Sequence, residues 1–552
     1  MTDSPAAAPA APAQRPADID IVTQDLARPA AVMAIGTTLS RVTGLGRSIA
    51  LAFALGVAES RLADSYNIAN TLPNVLYELV LGGILTSVFI PLVVTQLRTK
   101  ELDDAWKGIS ALISCAMVVL LACTLLVMLI APWIIELFTD KGTGVAVAQQ
   151  RELATFFLRV FAPQIALYGF AAIAAGLLNA HGRFAVPMFA PIVNNLIVIA
   201  MFLLFAWTVS GIPTQGEVNA DAGQKLLLGL GTTGGVLAMV LVYLPFLRRL
   251  PGKLSLNVDF ADPGVRRLAR LSLWTVAYVI TNTIGFGVSF YLANAVQGGV
   301  TAYVTAFAFF QLPIGIVAVS IITAIVPKLS AHYVDGDERA FAARVAGGFR
   351  ASAMLMLPAT AALIILAGPM VHTLLQHGVV KPESAALVAS VMRYFAIGLL
   401  PFATYLLLMR SFYSRQDART PALVNIVENG ATIALDFALF PVMKIQGLAL
   451  AHTGGYIIGS IVAGWVLARR IGGLELRRGA GELVKVTVAS LACAGAMIGV
   501  LALVRAGTDP GSLRALLQLV LGGAAGLGTF LAVAGALRVE DLAMFERLIP
   551  GR

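Results

Sequence analysis

Apolar blocks of about 20 residues or more, separated by short polar breaks, run through this chain and leave it few folds. A helix rises about 1.5 Å per residue, so a block of that length crosses the roughly 30 Å hydrocarbon layer of a bilayer. In that layer each backbone N–H and C=O must find its partner within the protein, which selects helices or closed barrels. Blocks of this length are expected as helices. Composition agrees: of 552 residues, 58% are hydrophobic and 12% charged, where soluble domains carry about 25% charge. Too little polar surface remains to cover a soluble globule.

Reading the blocks between their breaks predicts fourteen spans, at 30–57, 62–98, 104–138, 149–181, 184–210, 224–249, 264–297, 299–333, 338–377, 384–416, 419–440, 445–471, 480–506 and 511–537. The basic residues provide an independent test. Even-numbered breaks hold about twenty of them, including Arg98, Arg183, Arg248, Arg249, Lys328, Arg415, Arg469 and Arg470. Odd-numbered breaks hold eight: Arg61, Lys141, Arg151, Lys225, Lys381, Lys444, Arg505 and Arg514. That alternation predicts both termini on the cytoplasmic face. It also explains the net charge of +9 without nucleic acid, which is not expected as a partner. Residues 1–28, rich in Ala and Pro, have no apolar core and read as a disordered cytoplasmic tail rather than a signal peptide. Residues 541–552 read as a second tail. Cys115, Cys123 and Cys493 lie inside apolar blocks without metal-ligand spacing. No metal or other cofactor is expected.

The chain also repeats itself. Leu158-Arg-Val-Phe-Ala-Pro163 echoes Met392-Arg-Tyr-Phe-Ala-Ile397, and Pro187 and Asn195 echo Pro421 and Asn429, all at an offset of 234. Thr71-Leu-Pro73 echoes Gln311-Leu-Pro313 at 240, and Gly44-Leu-Gly46 echoes Gly285-Phe-Gly287 at 241. The order and slow drift of the offsets predict two six-helix lobes, 29–250 and 251–475, related by a pseudo-two-fold axis around a central cavity. The last two spans, within 476–540, fall outside the repeat.

Charged residues within spans cost about 2.5–3.5 kcal/mol each on insertion scales, so each is a functional candidate. The first span carries Arg41 and Arg47 with no carboxylate of its own. Six residues leave them roughly 120° apart on an ideal helix, and Gly44 and Gly46 lie between them. Paired guanidinium donors suit phosphate oxygens, so Arg41 and Arg47 are candidate anion-binding residues. They can also be read as snorkelling or paired structurally. Asp64 and Glu78, fourteen residues apart in the second span, can share a face. They are candidates for neutralising those arginines during gating, or for holding the lobe together. Pro73 and Pro91 are expected to kink or end helix there. In the second lobe Arg393, Arg410 and Glu428 are candidate cavity charges, with structural pairing as the other reading of Glu428. Asp436 reads as lying near the outer surface.

Several motifs at and around these residues resemble the MurJ (MviN) family of lipid II flippases in the MOP transporter superfamily. They include Ser40-Arg-Val-Thr-Gly-Leu-Gly-Arg47, Ala63-Asp64, Leu72-Pro-Asn74, Val88-Phe-Ile-Pro91 and Val326-Pro-Lys-Leu-Ser330. The most specific is Phe412-Tyr-Ser-Arg-Gln-Asp417 followed by Thr420-Pro421. The resemblance implies a polytopic transporter of the bacterial inner membrane. Its substrate would be undecaprenyl pyrophosphate bearing a disaccharide–pentapeptide, moved by alternating access. It also implies that the last two spans border a groove for the lipid tail, and that Arg41, Arg47 and Asp64 match family cavity positions. The chain departs from the family at Tyr77 and Glu78, where an arginine pair is common, at Ser48, where an acid is common, and near Ala308, where a further cavity arginine falls. Any pyrophosphate clamp is then smaller than usual, or is completed by other cations, for which Arg393 and Arg410 are the candidates.

The alternatives weighed are another exporter of the superfamily, for polysaccharide lipids or cationic drugs, and a non-transporting scaffold for cell-wall synthesis. Unpaired arginines repel cationic drugs in a cavity of low dielectric. An enzyme is not expected, because the adjacent acidic pair Asp103-Asp104, beside Lys107, reads as a solvated helix start. No nucleotide-binding loop is present, so an ion gradient or the membrane potential is the expected energy source. Expected partners are lipid II, membrane lipids and the cell-wall synthesis machinery.

Overall fold

The computed structural model describes residues 27–79, 93, 95–97, 101–139, 144–474, 476–509 and 511–540. The tails expected at 1–26 and 541–552, Pro91, and most of the expected second span beyond Leu79 lie outside the described residues. Helices make up the fold, and no strand occurs among the described residues. They are α1 (Ala27–Leu55), α2 (Leu62–Leu79), α3 (Leu102–Phe138), α4 (Val145–Phe161), α5 (Pro163–Ala180) and α6 (Ala185–Thr208). Then come α7 (Gln215–Ala220), α8 (Ala222–Leu247), α9 (Pro263–Asn294), α10 (Gly299–Pro313), a π-helical turn at Ile314–Ala318, and α11 (Val319–Val334). The chain continues through α12 (Glu338–Ile365), α13 (Ala367–Leu375), α14 (Pro382–Ile397) and α15 (Leu399–Ser414). It closes with α16 (Arg419–Ile471), α17 (Leu476–Gly507) and α18 (Ser512–Ala536).

Among the described residues, ten helical stretches are long and apolar enough to cross a membrane, or eleven with α14 and α15 as one span bent by 48°. The expected fourteen is not reached by this count. One reason is that α16 covers two expected spans in a single run, leaving helical geometry only at Lys444, where φ is 51° and ψ −131°. In addition, α1 with its arginines and α2 as described are not among the ten. Helix α2 also runs through Pro73 instead of ending there. A proline deep in a membrane helix is tolerated where neighbouring groups satisfy the carbonyl it frees.

The sequence repeat is visible atom by atom. Asn195 of α6 donates to Ser40 O and Thr43 Oγ1 of α1, at 3.2 and 3.0 Å. Asn429 of α16 lies likewise against α9, donating to Asn282 Oδ1 at 3.5 Å. A Cβ at Gly44 would stand 3.7 Å from Asn195 Nδ2, and one at Gly285 only 2.2 Å from Asn429 Oδ1. Within lipid there is no hydrophobic drive between helices, so small residues and cross-helix hydrogen bonds of this kind set the packing. Arg159 and Arg393 each donate from Nε to a carbonyl oxygen of an earlier helix, Met128 O at 3.4 Å and Ile364 O at 3.3 Å.

The buried side chains join the lobes at one end and separate them at the other. One core continues from Leu55, Val57 and Leu62 of the first lobe into Ala293, Val300, Val380 and Ile445 of the second. At the end rich in basic residues, Trp106, Tyr243 and Leu250 form a core confined to the first lobe. Leu329, Phe341, Phe412 and Leu467 form its counterpart in the second. Helices α17 and α18 pack together and against α12 through Cys493, Met497, Phe530 and Met354. The segment 251–262 connects the lobes, with the N–H groups of Ser255 and Asn257 donating to Ser110 Oγ and Ser114 Oγ, both at 3.1 Å.

The motif around Asp417 has a structural explanation. Asp417 accepts the Thr420 N–H at 2.9 Å and pairs with Arg470, which also donates to Thr420 Oγ1 at 2.8 Å. The two ends of α16 are thereby tied together beside the tight turn at Gln416, whose φ is 59°. Burial pushes the Asp417 carboxyl up, but Thr420 and Arg470 outweigh it and hold it below the ordinary range. Its contribution is therefore complete above the ordinary carboxylate pKa and fades as pH falls through the lowered one. Asp417→Asn is expected to lower stability by about 1 kcal/mol, the worth of a helix-start side chain. Thermal melting of the purified protein reads this, and an unchanged midpoint would refute it.

Candidate functional site

Helix α1 carries both first-span arginines without a break, since Gly44 and Gly46 remain helical. Arg41 is exposed and reaches across to the second lobe, where Nη1 donates to Gln311 Oε1 at 3.0 Å. Its stem lies over Gly315 in the π-helical turn, where a Cβ would stand 2.8 Å from Arg41 Nε. Irregular helix of this kind recurs at functional sites because it redirects the groups around it. Arg47, half-buried, lies instead against the hydroxyls of Tyr66 and Tyr168 inside the first lobe. Tyr66 in turn shares a 2.8 Å hydrogen bond with Thr232. The separation of about 120° thus sends the two guanidinium groups to different walls. Neither forms an ion pair among the described residues.

Asp64 is paired with neither arginine in this arrangement. It is fully buried and accepts three hydrogen bonds from the opposite lobe: Gly298 N at 2.8 Å, Thr301 N at 2.9 Å and Thr301 Oγ1 at 2.7 Å. These amides open α10, so a first-lobe carboxylate satisfies the helix start of the second lobe. An anion is favoured there by the exposed N–H groups and the helix dipole. Further polar links surround it. Arg61 Nη1 donates to Asn294 O at 2.9 Å, Asn67 Nδ2 to Thr301 Oγ1 at 3.1 Å and Gln297 Nε2 to Ala58 O at 2.8 Å. Glu59 Oε1 accepts the Lys381 N–H at 2.7 Å. Gly298, at φ 74°, lets the backbones meet: a Cβ there would stand 2.4 Å from Ala58 Cβ. The result is a polar seal between the lobes at the end where their cores merge.

The side chain of Glu78 lies outside the described residues. The second-lobe charges are not brought together. Arg393 is exposed and borders a cavity walled by Ser390, Tyr394, Met443 and Gln446, all from its own lobe. Arg410 is exposed near Tyr413 and Tyr278. Glu428 is buried and held by Asn429 Nδ2 at 2.7 Å and Thr432 Oγ1 at 3.3 Å. It forms no arginine pair among the described residues, so the pairing expected for it is replaced by neutral donors on its own helix. Asp436 is fully buried and accepts from Ser289 Oγ at 2.7 Å. Gln311 and Asn67 escaped sequence reasoning because neutral side chains carry no motif, and Glu59 because its partner, the Lys381 amide, carries none. Gln311 alone had a signal, as part of the Gln311-Leu-Pro313 echo.

Known proteins resemble this arrangement. A family model described as "Lipid II flippase MurJ" matches residues 51–518. Among similar relatives, the "Probable lipid II flippase MurJ" of Rhizobium meliloti (strain 1021) is 29% identical over 434 residues, 78% of this chain and 77% of that one. The "Lipid II flippase MurJ" of Burkholderia cenocepacia is 27% identical over 433 residues, 77% of this chain and 80% of that one. In three dimensions the chain is similar to a structure titled "Lipid II flippase MurJ, inward closed conformation", with a TM-score of 0.72, 20% identity, and 92% and 99% of the two chains covered. A multidrug transporter of the MATE family in an inward-facing conformation has a TM-score of 0.59 at 14% identity, covering 81% and 95% of the two chains. The helical fold is thus similar to both structures, while the family model distinguishes between them. The chain belongs to the lipid II flippase MurJ family of multi-pass membrane transporters.

Proposed function

We propose that this chain carries lipid II across the bacterial inner membrane by alternating access between its two lobes. The observation that carries the reading is the unequal closure of the interface. The lobes share a core and the Asp64 seal at the end with few basic residues, and hold separate cores at the other. With basic loops on the cytoplasmic face, that seal closes the outer side, and both termini lie in the cytoplasm. The lobes are taken as 29–250 and 251–475 with fourteen spans in all, and 476–540 as the border of a lipid-tail groove. Arg41 and Arg47 bind the pyrophosphate, one from the interlobe gap and one from within the first lobe. Asp64 gates the outer side, Glu78 is a second gating carboxylate, and Arg393, Arg410 and Glu428 are accessory charges. The energy source is the membrane potential or an ion gradient, and the cell-wall synthesis machinery supplies the partners. An exporter of cationic drugs fits the same fold, but not two guanidinium groups without carboxylate partners among the described residues.

The test is lipid II translocation in proteoliposomes. The intact chain is expected to expose lipid II to the opposite leaflet, and no movement above empty vesicles would remove the proposal. Gln311→Glu refines it. A carboxylate at that seat would hold Arg41 in an ion pair and compete with the anionic substrate. Translocation should fall about tenfold, in line with roughly 1.5–3 kcal/mol for a hydrogen bond to a charged group. Gln311→Ala, which leaves Arg41 free, should keep most of the activity. Equal rates for all three chains would separate Arg41 from substrate binding.

A further inference from the structure

Arg393 and the bend in α16 build a feature that belongs to the second lobe alone. A cavity of about 460 Å³ opens between α14 and the bend, walled by Ser390, Arg393, Tyr394, Met443 and Gln446. Its size falls within the usual range for small-ligand pockets, about 300–1,000 Å³. Lys444, between two of the wall residues, has φ 51° in an otherwise helical run. That left-handed turn, costly for a residue with a Cβ, forms one wall. The polar floor is fixed, because Gln446 Nε2 donates to Ser390 Oγ at 2.9 Å and Ser390 Oγ donates to Leu387 O at 2.7 Å. Of the five Arg393 donors only Nε is engaged among the described residues, with Ile364 O. No carboxylate pairs with Arg393 or Lys444 among the described residues.

The surroundings indicate what such a site meets. Val442, beside the cavity, is 82% exposed, and Ile397, one turn beyond Arg393 on the same helix face, is 45% exposed. Apolar side chains facing outward around a guanidinium mark a membrane interface, where arginine extends towards headgroups. The bend also lies at the sealed end, since a Cβ at Gly299, next to the Asp64 ligands, would stand 2.7 Å from Ile445 Cδ1. The repeat supplies an internal comparison. Arg159 makes the same Nε bond in the first lobe, but at the offset of 234 Phe156 replaces Ser390, Ser210 replaces Lys444 and Ile212 replaces Gln446. The arginine is common to both lobes, and the polar companions belong to one.

We propose that the cavity between α14 and the 441–446 bend binds the phosphate headgroup of an anionic phospholipid at the sealed face of the protein. Arg393 supplies paired donors to the phosphate oxygens, Gln446 a neutral contact and Lys444 a second positive charge. A choline headgroup would be disfavoured by the two cations.

The full chain in neutral detergent can be titrated with phosphatidylglycerol, phosphatidylcholine or glycerol phosphate, with retained lipid counted by native mass spectrometry. The intact protein should retain phosphatidylglycerol in preference to phosphatidylcholine. Arg393→Ala should weaken retention about fivefold, the worth of one basic residue near a charged lipid surface. Arg393→Gln, which keeps the bond to Ile364, should do the same if the alanine variant folds poorly. Arg159→Ala should match the intact chain. Retention by both Arg393 variants as strong as that of the intact chain, a loss in Arg159→Ala equal to theirs, or no preference between the two lipids would overturn the proposal. Displacement by glycerol phosphate at matched concentration would reassign the site to soluble phosphates.

Discussion

Arg47→Ala is expected to reduce lipid II translocation at least about a hundredfold, because two or more hydrogen bonds to a charged group are worth roughly 1.5–3 kcal/mol each. Arg47→Lys keeps the charge but loses the planar pair of donors, and should fall between the two. Arg47 also touches Tyr66 and Tyr168, so a purely structural role needs its own control. Tyr168→Phe removes one of those contacts and leaves the guanidinium in place. It should stay within about threefold of the intact chain, since one neutral hydrogen bond contributes about 1 kcal/mol or less. If Tyr168→Phe costs as much as Arg47→Ala, or if Arg47→Ala transports normally, the guanidinium does not bind substrate.

The second large effect concerns the seal. Asp64→Ala would leave the N–H groups of Gly298 and Thr301 and the Thr301 hydroxyl without their acceptor. Even at about 1 kcal/mol each, three buried unsatisfied donors shift the closed–open equilibrium about a hundredfold. The opening can be read with Val57→Cys, a close match in size at a fully buried position in the merged core, after Cys115, Cys123 and Cys493 are replaced. A membrane-impermeant thiol reagent should label that cysteine far faster once Asp64 is alanine, and translocation should drop below a tenth. Asp64→Asn should lie between, because its Oδ1 still accepts while its Nδ2 faces a donor. Unchanged labelling together with unchanged transport would show that Asp64 is no gate.

These two residues also mark how far the sequence was legible. Arg47 stood out because a cation in an apolar run needs a reason, and its cost is set by the local run alone. Asp64 stood out for the same reason, but its partners did not. They are backbone amides 234 and 237 residues away, and every residue except proline has an amide to offer. The expectation of an arginine partner followed from side-chain charge, the only complement that a sequence displays. Glu428 went the same way, finding Asn429 and Thr432 on its own helix. Arg393 was expected at a central cavity and borders one built by its own lobe, because nothing local tells which side of a span faces the other lobe.

Sequence alone determined the membrane class, most span positions, the two-lobe repeat and the family, through the MurJ-like motifs. Solvent and hydrogen-bond demand fix the first two residue by residue, since each block must be apolar enough for lipid and helical enough to satisfy its own backbone. Tertiary structure decided which end of the molecule is closed, where each guanidinium points and what holds Asp64. Those depend on glycines that let backbones touch, as Gly298 does against Ala58, and on neutral groups whose meaning exists only once two distant segments are in contact.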